Sequence, residues 1–331
     1  MRRTCRRGWH HRGCFITRSD LPIYLRLFIG RSTPRYGILT VLPRIMGLGS
    51  CLGYAVSGAL LLIPRLILMT AAELIAFVAC AVVGVVAVRL PREQPLPTVL
   101  RSVVSLVVPP CCRVLLFSVG FWCIRVRGKR DSSVRLVISN HACICDGFVL
   151  TAVLSAPSFL ARSEGLERLP MYSTILRAMQ LVFVDRTSPA SRTFAAAETS
   201  RRLLTDQFPP LVVFPEGTTN NGATTLLPFR RGAFAAAVKC QPVVIRYPNR
   251  RFRTATDGGG GVLADLRTII ELLFLPYTSC EVTFLPVFCP TGHELVDPLA
   301  YAESVRAVMQ RVLVPNELTP STGGSASERS R

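Results

Sequence analysis

Val134-Arg135-Leu136-Val137-Ile138-Ser139-Asn140-His141-Ala142-Cys143-Ile144-Cys145-Asp146-Gly147-Phe148-Val149-Leu150 decides how the chain is read. The apolar run Val134 to Ile138 predicts a buried strand, Ser139 and Asn140 read as capping residues, and Phe148 to Leu154 continue as a helix. Within one helix, five residues turn the chain by about 500°, so His141 and Asp146 would not share a face if both were helical. They meet if His141 sits in the turn that precedes the helix carrying Asp146. A carboxylate then holds one imidazole nitrogen and leaves the other toward a hydroxyl, which is the orienting half of a triad whose nucleophile comes from the substrate. Histidine suits proton transfer because its ordinary pKa lies near neutrality. Alone, the pattern H-x-x-x-x-D carries little information, and a polar histidine satisfied in a turn is the more ordinary account of it; the blocks that follow reverse this.

Further blocks follow in order: Leu181-Val182-Phe183-Val184-Asp185-Arg186, then Phe214-Pro215-Glu216-Gly217-Thr218-Thr219-Asn220-Asn221-Gly222, then Phe229-Arg230-Arg231-Gly232-Ala233-Phe234, then Gln241-Pro242-Val243-Val244-Ile245-Arg246-Tyr247-Pro248. With His141 to Asp146 they resemble the PlsC-like glycerolipid acyltransferase family over roughly residues 110 to 310. The third block and Ile245 to Pro248 are most similar to the branch acting on lysophosphatidylcholine and lysophosphatidylethanolamine. Phe117 to Gly128 resembles the entry into that branch's catalytic domain. One departure stands out: the family's second block usually opens with glycine, where this chain has Gln180.

The resemblance implies that a lysophospholipid hydroxyl attacks an acyl-CoA thioester, with His141 as general base and Asp146 as its partner. It assigns Arg186 and Glu216 to binding the phosphate-bearing acceptor, with acyl-CoA as co-substrate and no resident cofactor or metal. Arginine fits phosphate because its donors form a matching fork. A carboxylate repels phosphate, so Glu216 is expected to order a neighbouring arginine or hydroxyl instead. The Glu216-Gly217-Thr218 turn follows the apolar run Leu211 to Phe214, which puts it at a strand's C-terminal end, where open α/β sheets bind ligands. Its backbone N–H groups are candidates for holding the thioester oxyanion. Lysophosphatidate or glycerol 3-phosphate acylation is the alternative acceptor choice. A non-catalytic membrane lipid-binding protein is the alternative of another class.

Composition points to a membrane enzyme. The 331-residue chain is 50% hydrophobic, with a mean hydropathy of +0.39, high for a soluble protein. Leu66 to Val88 is a 23-residue apolar run whose single charge is Glu73, long enough for a hydrocarbon layer of about 30 Å. Pro64 and Arg65 separate it from the shorter apolar run Tyr54 to Ile63, so a helical hairpin stands beside a single span. A third run, Val99 to Ile124, contains Arg101, Pro109, Pro110 and Arg113 and reads as interfacial or re-entrant. Buried core helices of a soluble protein are the competing reading.

The formal charge is +19. Arg2, Arg3, Arg6, Arg7, Arg12 and Arg18 crowd the first residues, where Asp20 is the sole acid among the first fifty. Three readings compete: an arm favouring anionic lipid, a mitochondrial targeting segment, or sequence ahead of a start at Met46. No aromatic-interleaved nucleic-acid motif appears, and phosphates of CoA and lipid account for basic charge near the site. Cys143 and Cys145 flank the turn. Their spacing is awkward for tetrahedral metal, but they suggest sensitivity to thiol reagents, while Cys51, Cys80 and Cys123 lie in apolar sequence. Asp257 to Gly261 reads as a linker, and no EF-hand loop occurs.

The expected fold is α/β: a mixed sheet flanked by helices, preceded by membrane helices. Strands are expected at Val134–Ser139, Phe159–Arg162, Leu181–Asp185, Leu211–Phe214, Val243–Tyr247 and Val282–Val287, with helices such as Ala190–Leu204 and Leu263–Phe274. The organisation is a basic arm over 1–50, a membrane region over 51–124, a catalytic domain over 125–314 and a disordered tail over 315–331. Endoplasmic reticulum is the expected location, with a mitochondrial membrane as the alternative.

Overall fold

The structure is a computed structural model that describes residues 48–87, 90–91, 94–163, 170–185, 187–220, 225–248 and 261–313. The basic arm before residue 48, Arg186, the glycine run 257–260 and the tail 315–331 lie outside the described residues. Residues 1–55 and 56–331 form two compact units. Of the first, only the helix residues 48–55 are described; the sheet and the candidate site belong to the second.

Seven strands form one sheet: β1 (Phe121–Arg127), β2 (Leu136–Ser139), β3 (Ser158–Arg162), β4 (Val182–Val184), β5 (Leu211–Val213), β6 (Cys240–Arg246) and β7 (Thr278–Phe284). Their order is β1-β7-β6-β2-β5-β3-β4. Every neighbouring pair is parallel except β6 and β7. Five strands therefore run one way, and β7 and β1 run the other. The α/β class with a mixed sheet is as expected. Two strands start well before their expected ranges, β6 three residues before Val243 and β7 four residues before Val282; β1 is not among the expected strands, and the boundary expected after residue 124 falls inside it.

The central strands are buried on both faces, so they read as continuous apolar runs rather than alternating ones. Strand alternation divides their side chains between two cores. Val137, Val212, Val243 and Ile245 join the helices α1 (Leu48–Val86), α2 (Thr98–Ser118) and α3 (Asp146–Leu154) on one face. Leu136, Ile138, Leu211, Val213 and Val244 meet Tyr301, Val305 and Met309 of the C-terminal helix, Pro298–Leu313, on the other. Full burial of one such Val, Leu or Ile contributes roughly 1.5–3 kcal/mol.

Helices α1 and α2 are each long and apolar enough to cross a membrane, over Gly58–Val86 and Thr98–Ser118. Only 22% and 28% of their most apolar windows are buried, which argues against buried core helices. Each keeps one narrow buried stripe. On α1 it is Ala72, Ala76, Cys80 and Val83; on α2 it is Val104, Val108, Cys112 and Leu116, four residues apart, as one helical face requires. Leu60, Ile63, Ile67, Val85 and Leu106 are more than 60% exposed, a continuous apolar surface suited to lipid.

The prolines do not break either helix. Pro64 lies within α1, and Pro109 and Pro110 lie within α2, which runs unbroken to Ser118. The run expected to be interfacial is thus a helix followed by β1. Proline removes a donor and crowds the preceding turn, but packing of the Val104 to Leu116 stripe against the sheet-facing core holds α2 together. Arg65, next to Pro64, is buried and donates to the carbonyls of Leu273 (2.6 Å), Leu275 (2.7 Å) and Pro276 (2.8 Å). It thereby satisfies acceptors left open where the helix Gly261–Phe274 ends. Gly58 permits this docking, since a Cβ there would lie 2.5 Å from the Phe274 ring and 3.0 Å from its Cα. Glu73 faces protein and accepts from the Tyr172 hydroxyl at 2.5 Å, one of the two ways such a charge is tolerated.

Candidate active site

Three parallel strands deliver the site to one end of the sheet. β2 ends at Ser139, β5 at Val213 and β6 at Arg246, and the residues that come after them are His141, Glu216 and Tyr247. Asn140 fixes the first of these against the third. Its side chain accepts from the N–H of Ile245 (2.8 Å) and donates to the carbonyl of Ile245 (3.0 Å). Asn140 is therefore a clamp between strands, and Ser139 belongs to β2; neither caps the helix, which begins at Asp146 after an N-cap Cys145 with no side-chain bond.

The structure brings His141 and Asp146 together as strand, turn and helix. His141 Nδ1 lies 2.9 Å from Asp146 Oδ2. The same oxygen accepts from the N–H groups of Ala142 (2.6 Å) and Cys143 (2.8 Å). The other oxygen, Oδ1, accepts from the Tyr247 hydroxyl. Asp146 is fully buried, whereas the His141 side chain keeps 24% of its surface. The imidazole stacks on Phe214, ring centres 4.3 Å apart, and Phe214 stacks on Phe159 at 6.2 Å. Carboxylate and aromatic wall fix the ring's plane, so Nε2 is the nitrogen available for chemistry.

Glu216 is buried and, among the described residues, is bonded to neither an arginine nor a hydroxyl. Its Oε1 accepts from the backbone N–H of His141 (3.1 Å), and its Oε2 accepts from Asn220 Nδ2 (2.9 Å) and the N–H of Leu227 (3.0 Å). The Asn220 N–H returns a bond to the His141 carbonyl at 2.7 Å. This carboxylate satisfies three donors and binds the His141 turn to the loop after β5. A buried carboxylate needs such donors, and turn amides supply them without a cation.

Gly217 has φ +73°, and a Cβ there would sit 2.7 Å from Arg230 Nε. Both facts require glycine. Its N–H donates to the Phe214 carbonyl at 3.1 Å, so it closes the turn rather than awaiting an oxyanion. Thr218, half-buried, follows it in the same turn. Arg230 lies over this turn and its own N–H donates to Pro215; the sequence motifs mark its block but assign it no role. Arg186, expected at the acceptor, is outside the described residues.

Gln180 has φ +57°, the left-handed conformation that glycine adopts at little cost. The glutamine keeps that backbone, and its Nε2 donates to the Gln94 carbonyl at 3.0 Å. Its own carbonyl accepts from Ser158 Oγ (2.6 Å) and Arg202. The departure from the family's glycine thus preserves the turn's shape. Arg202 is itself held by Glu198 at 2.6 Å; burial pushes that carboxyl up, and the bonds from Arg201 and Arg202 outweigh it and hold it below its ordinary pKa.

Cys143 and Cys145 are buried, which argues against the expected thiol sensitivity; Cys123 is exposed. The bond with Cys145 and burial push the Cys143 thiol well above its ordinary range. Among the described residues no cluster of His, Cys, Asp and Glu is arranged to hold a metal.

A buried carboxylate aligns a partly exposed imidazole at the strand ends of a mixed α/β sheet, an arrangement able to take a proton from a hydroxyl. Residues 123–247 match the acyltransferase family model. It is similar to lysophospholipid acyltransferase LPEAT2 of Arabidopsis thaliana, 36% identical over 66% of this chain and 41% of that one. Lysophospholipid acyltransferase LPCAT4 of Homo sapiens is 39% identical over 61% of this chain and 38% of its own length. The chain thus spans about two-fifths of the length of these relatives. In fold it is similar to the 1-acyl-sn-glycerophosphate acyltransferase PlsC of Thermotoga maritima, with a TM-score of 0.51 at 16% identity, over 76% of this chain and 95% of that one.

Proposed function

We propose that this protein transfers the acyl group of acyl-CoA to the free hydroxyl of a lysophospholipid, with lysophosphatidylcholine or lysophosphatidylethanolamine as preferred acceptor. The observation that carries the reading is the 2.9 Å contact between His141 Nδ1 and the buried Asp146. His141 Nε2 removes the proton from the acceptor hydroxyl as its oxygen forms a bond to the thioester carbonyl carbon. The tetrahedral oxyanion collapses, the carbon–sulfur bond breaks, and the imidazolium returns its proton to the departing CoA sulfur. The products are a diacyl phospholipid and free CoA. Asp146 holds the ring's tautomer and offsets the charge that His141 gains.

Glu216, Gly217 and Thr218 shape the loop that faces the acceptor. Glu216 acts by fixing the His141 backbone rather than by touching phosphate, which assigns phosphate recognition to cations such as Arg186. The apolar faces of α1 and α2 support a membrane location, where the lysophospholipid is delivered from the bilayer; we place the enzyme in the endoplasmic reticulum.

Membranes expressing the chain or its His141→Ala variant are to be given labelled acyl-CoA with lysophosphatidylcholine, lysophosphatidylethanolamine, lysophosphatidate or glycerol 3-phosphate separately. Product with the first two acceptors, lost in the variant, is the expected result. Product with lysophosphatidate or glycerol 3-phosphate alone reassigns the acceptor. No product with any acceptor from folded protein overturns the reading in favour of a lipid-binding role.

A further inference from the structure

We propose that Tyr247 is a positioning residue of the catalytic pair, holding the oxygen of Asp146 that neither His141 nor the backbone reaches. The inference rests on His141 acting as the general base of acyl transfer. Asp146 divides its two oxygens unequally. Oδ2 takes His141 Nδ1 and the amides of Ala142 and Cys143, while Oδ1 takes the Tyr247 hydroxyl. Asp146 is fully buried, and among the described residues its bonded partners include neither lysine nor arginine. Besides His141, the groups near it include the Tyr247 phenol and the thiols of Cys143 and Cys280. A carboxylate in such surroundings depends on each donor aimed at it.

Three features aim this donor. Tyr247 follows β6 directly, and the Asn140 clamp on Ile245 sets the height of β6 against the turn that carries His141. The edge of the neighbouring Phe121 ring, 5.7 Å away at 64°, fixes the plane of the phenol. Burial and the nearby Asp146 push the phenol well above its ordinary pKa, so around neutral pH it keeps its proton and donates. Without the hydroxyl, Asp146 is free to turn about its side-chain bond and to trade the Nδ1 contact for one to the vacated space. The imidazole then loses its fixed direction while the substrate surfaces are untouched.

The test is a double-mutant cycle on acyl transfer, with purified full-length chain in detergent. Tyr247→Phe keeps the ring contact with Phe121 and removes only the oxygen. It is expected to lower kcat roughly 10- to 100-fold, the range for a bond to a charged group, with KM for both substrates within about twofold. In the background of Asp146→Asn the same change is expected to cost less than about threefold, because the carboxylate it serves is gone. Tyr247→4-aminophenylalanine, which keeps a donor on the ring, is expected to recover most of kcat and guards against a loss that reflects misfolding. Equal losses in both backgrounds, or wild-type kcat in Tyr247→Phe, would overturn the proposal while leaving the general-base reading intact. Absence of acyl transfer in the unmodified chain, or its persistence in His141→Ala, sinks the general-base reading first.

Discussion

The sheet has two halves that solve different problems. β6, β2, β5, β3 and β4 run in one direction and bring three loops to a common end, where His141, Glu216 and Tyr247 meet. β7 and β1 run against them. Around that reversed pair sit the anchoring contacts: Arg65 on the carbonyls before β7, and the Thr278 N–H on the carbonyl of Gly120. The parallel half carries the polar atoms of the site, whereas the reversed half carries none of them and receives Arg65 of α1, although α1 and α2 also pack on the parallel strands. Chemistry and anchoring should therefore separate under mutation.

The largest expected effect is in the parallel half. His141→Ala should lower acyl transfer roughly 10²- to 10⁴-fold, the range for losing a general base. Because the side chain is a quarter exposed and bonds only to Asp146 and the Phe214 face, thermal stability should change by no more than a few degrees. Equal loss of fold and activity would mean that this half is not specialised. Glu216→Gln comes next. The amide satisfies one side of the site but presents N–H groups to Asn220 and Leu227, which are donors themselves. A loss of roughly 10- to 100-fold in kcat follows from the displaced His141 turn, with KM for the acceptor nearly constant. A rise in KM alone would instead make Glu216 a binding residue.

Legibility in the sequence followed the same division. The apolar runs of β2 and β5 and the block order marked the parallel half, because strands buried on both faces write their identity in every residue. β1 was concealed inside an apolar run ascribed to the membrane: at the sheet's edge it buries only Phe121 and Ile124 while exposing Trp122, Arg125 and Arg127. β7 alternates Thr278, Cys280, Val282 and Phe284 inward with Ser279, Glu281 and Thr283 between them, and its polar start hid its first four residues. At the site, H-x-x-x-x-D was readable because its logic is local. The Tyr247 and Glu216 contacts span 101 and 75 residues, and no spacing rule within one strand or helix announces them.

The reversed half gives the converse prediction. Gly128 follows β1 with φ +75°, and a Cβ there would lie 2.2 Å from the Phe284 carbonyl oxygen. Gly128→Ala is expected to cost roughly 2–4 kcal/mol from backbone strain and overlap, seen as a lower melting temperature and less folded protein in detergent. The molecules that do fold should retain kcat. A fall in kcat per folded molecule would show that β1 and β7 bear on the chemistry.

The smallest effect expected is none at all, and it tests how closed the catalytic turn is. Cys143 and Cys145 are buried on either side of Ile144, while Cys123 and Cys289 are exposed on β1 and after β7. A maleimide reacts with thiolate, and the Cys143 thiol is held neutral by its bond with Cys145 and by burial. Among the described cysteines, labelling of the folded protein should therefore place reagent on Cys123 and Cys289 rather than on Cys143 and leave acyl transfer unchanged, with mass spectrometry of the peptides to locate it. Modification at Cys143 under the same conditions would mean that the turn opens in solution. The rigid carboxylate on which His141 depends would then be a property of only part of the population.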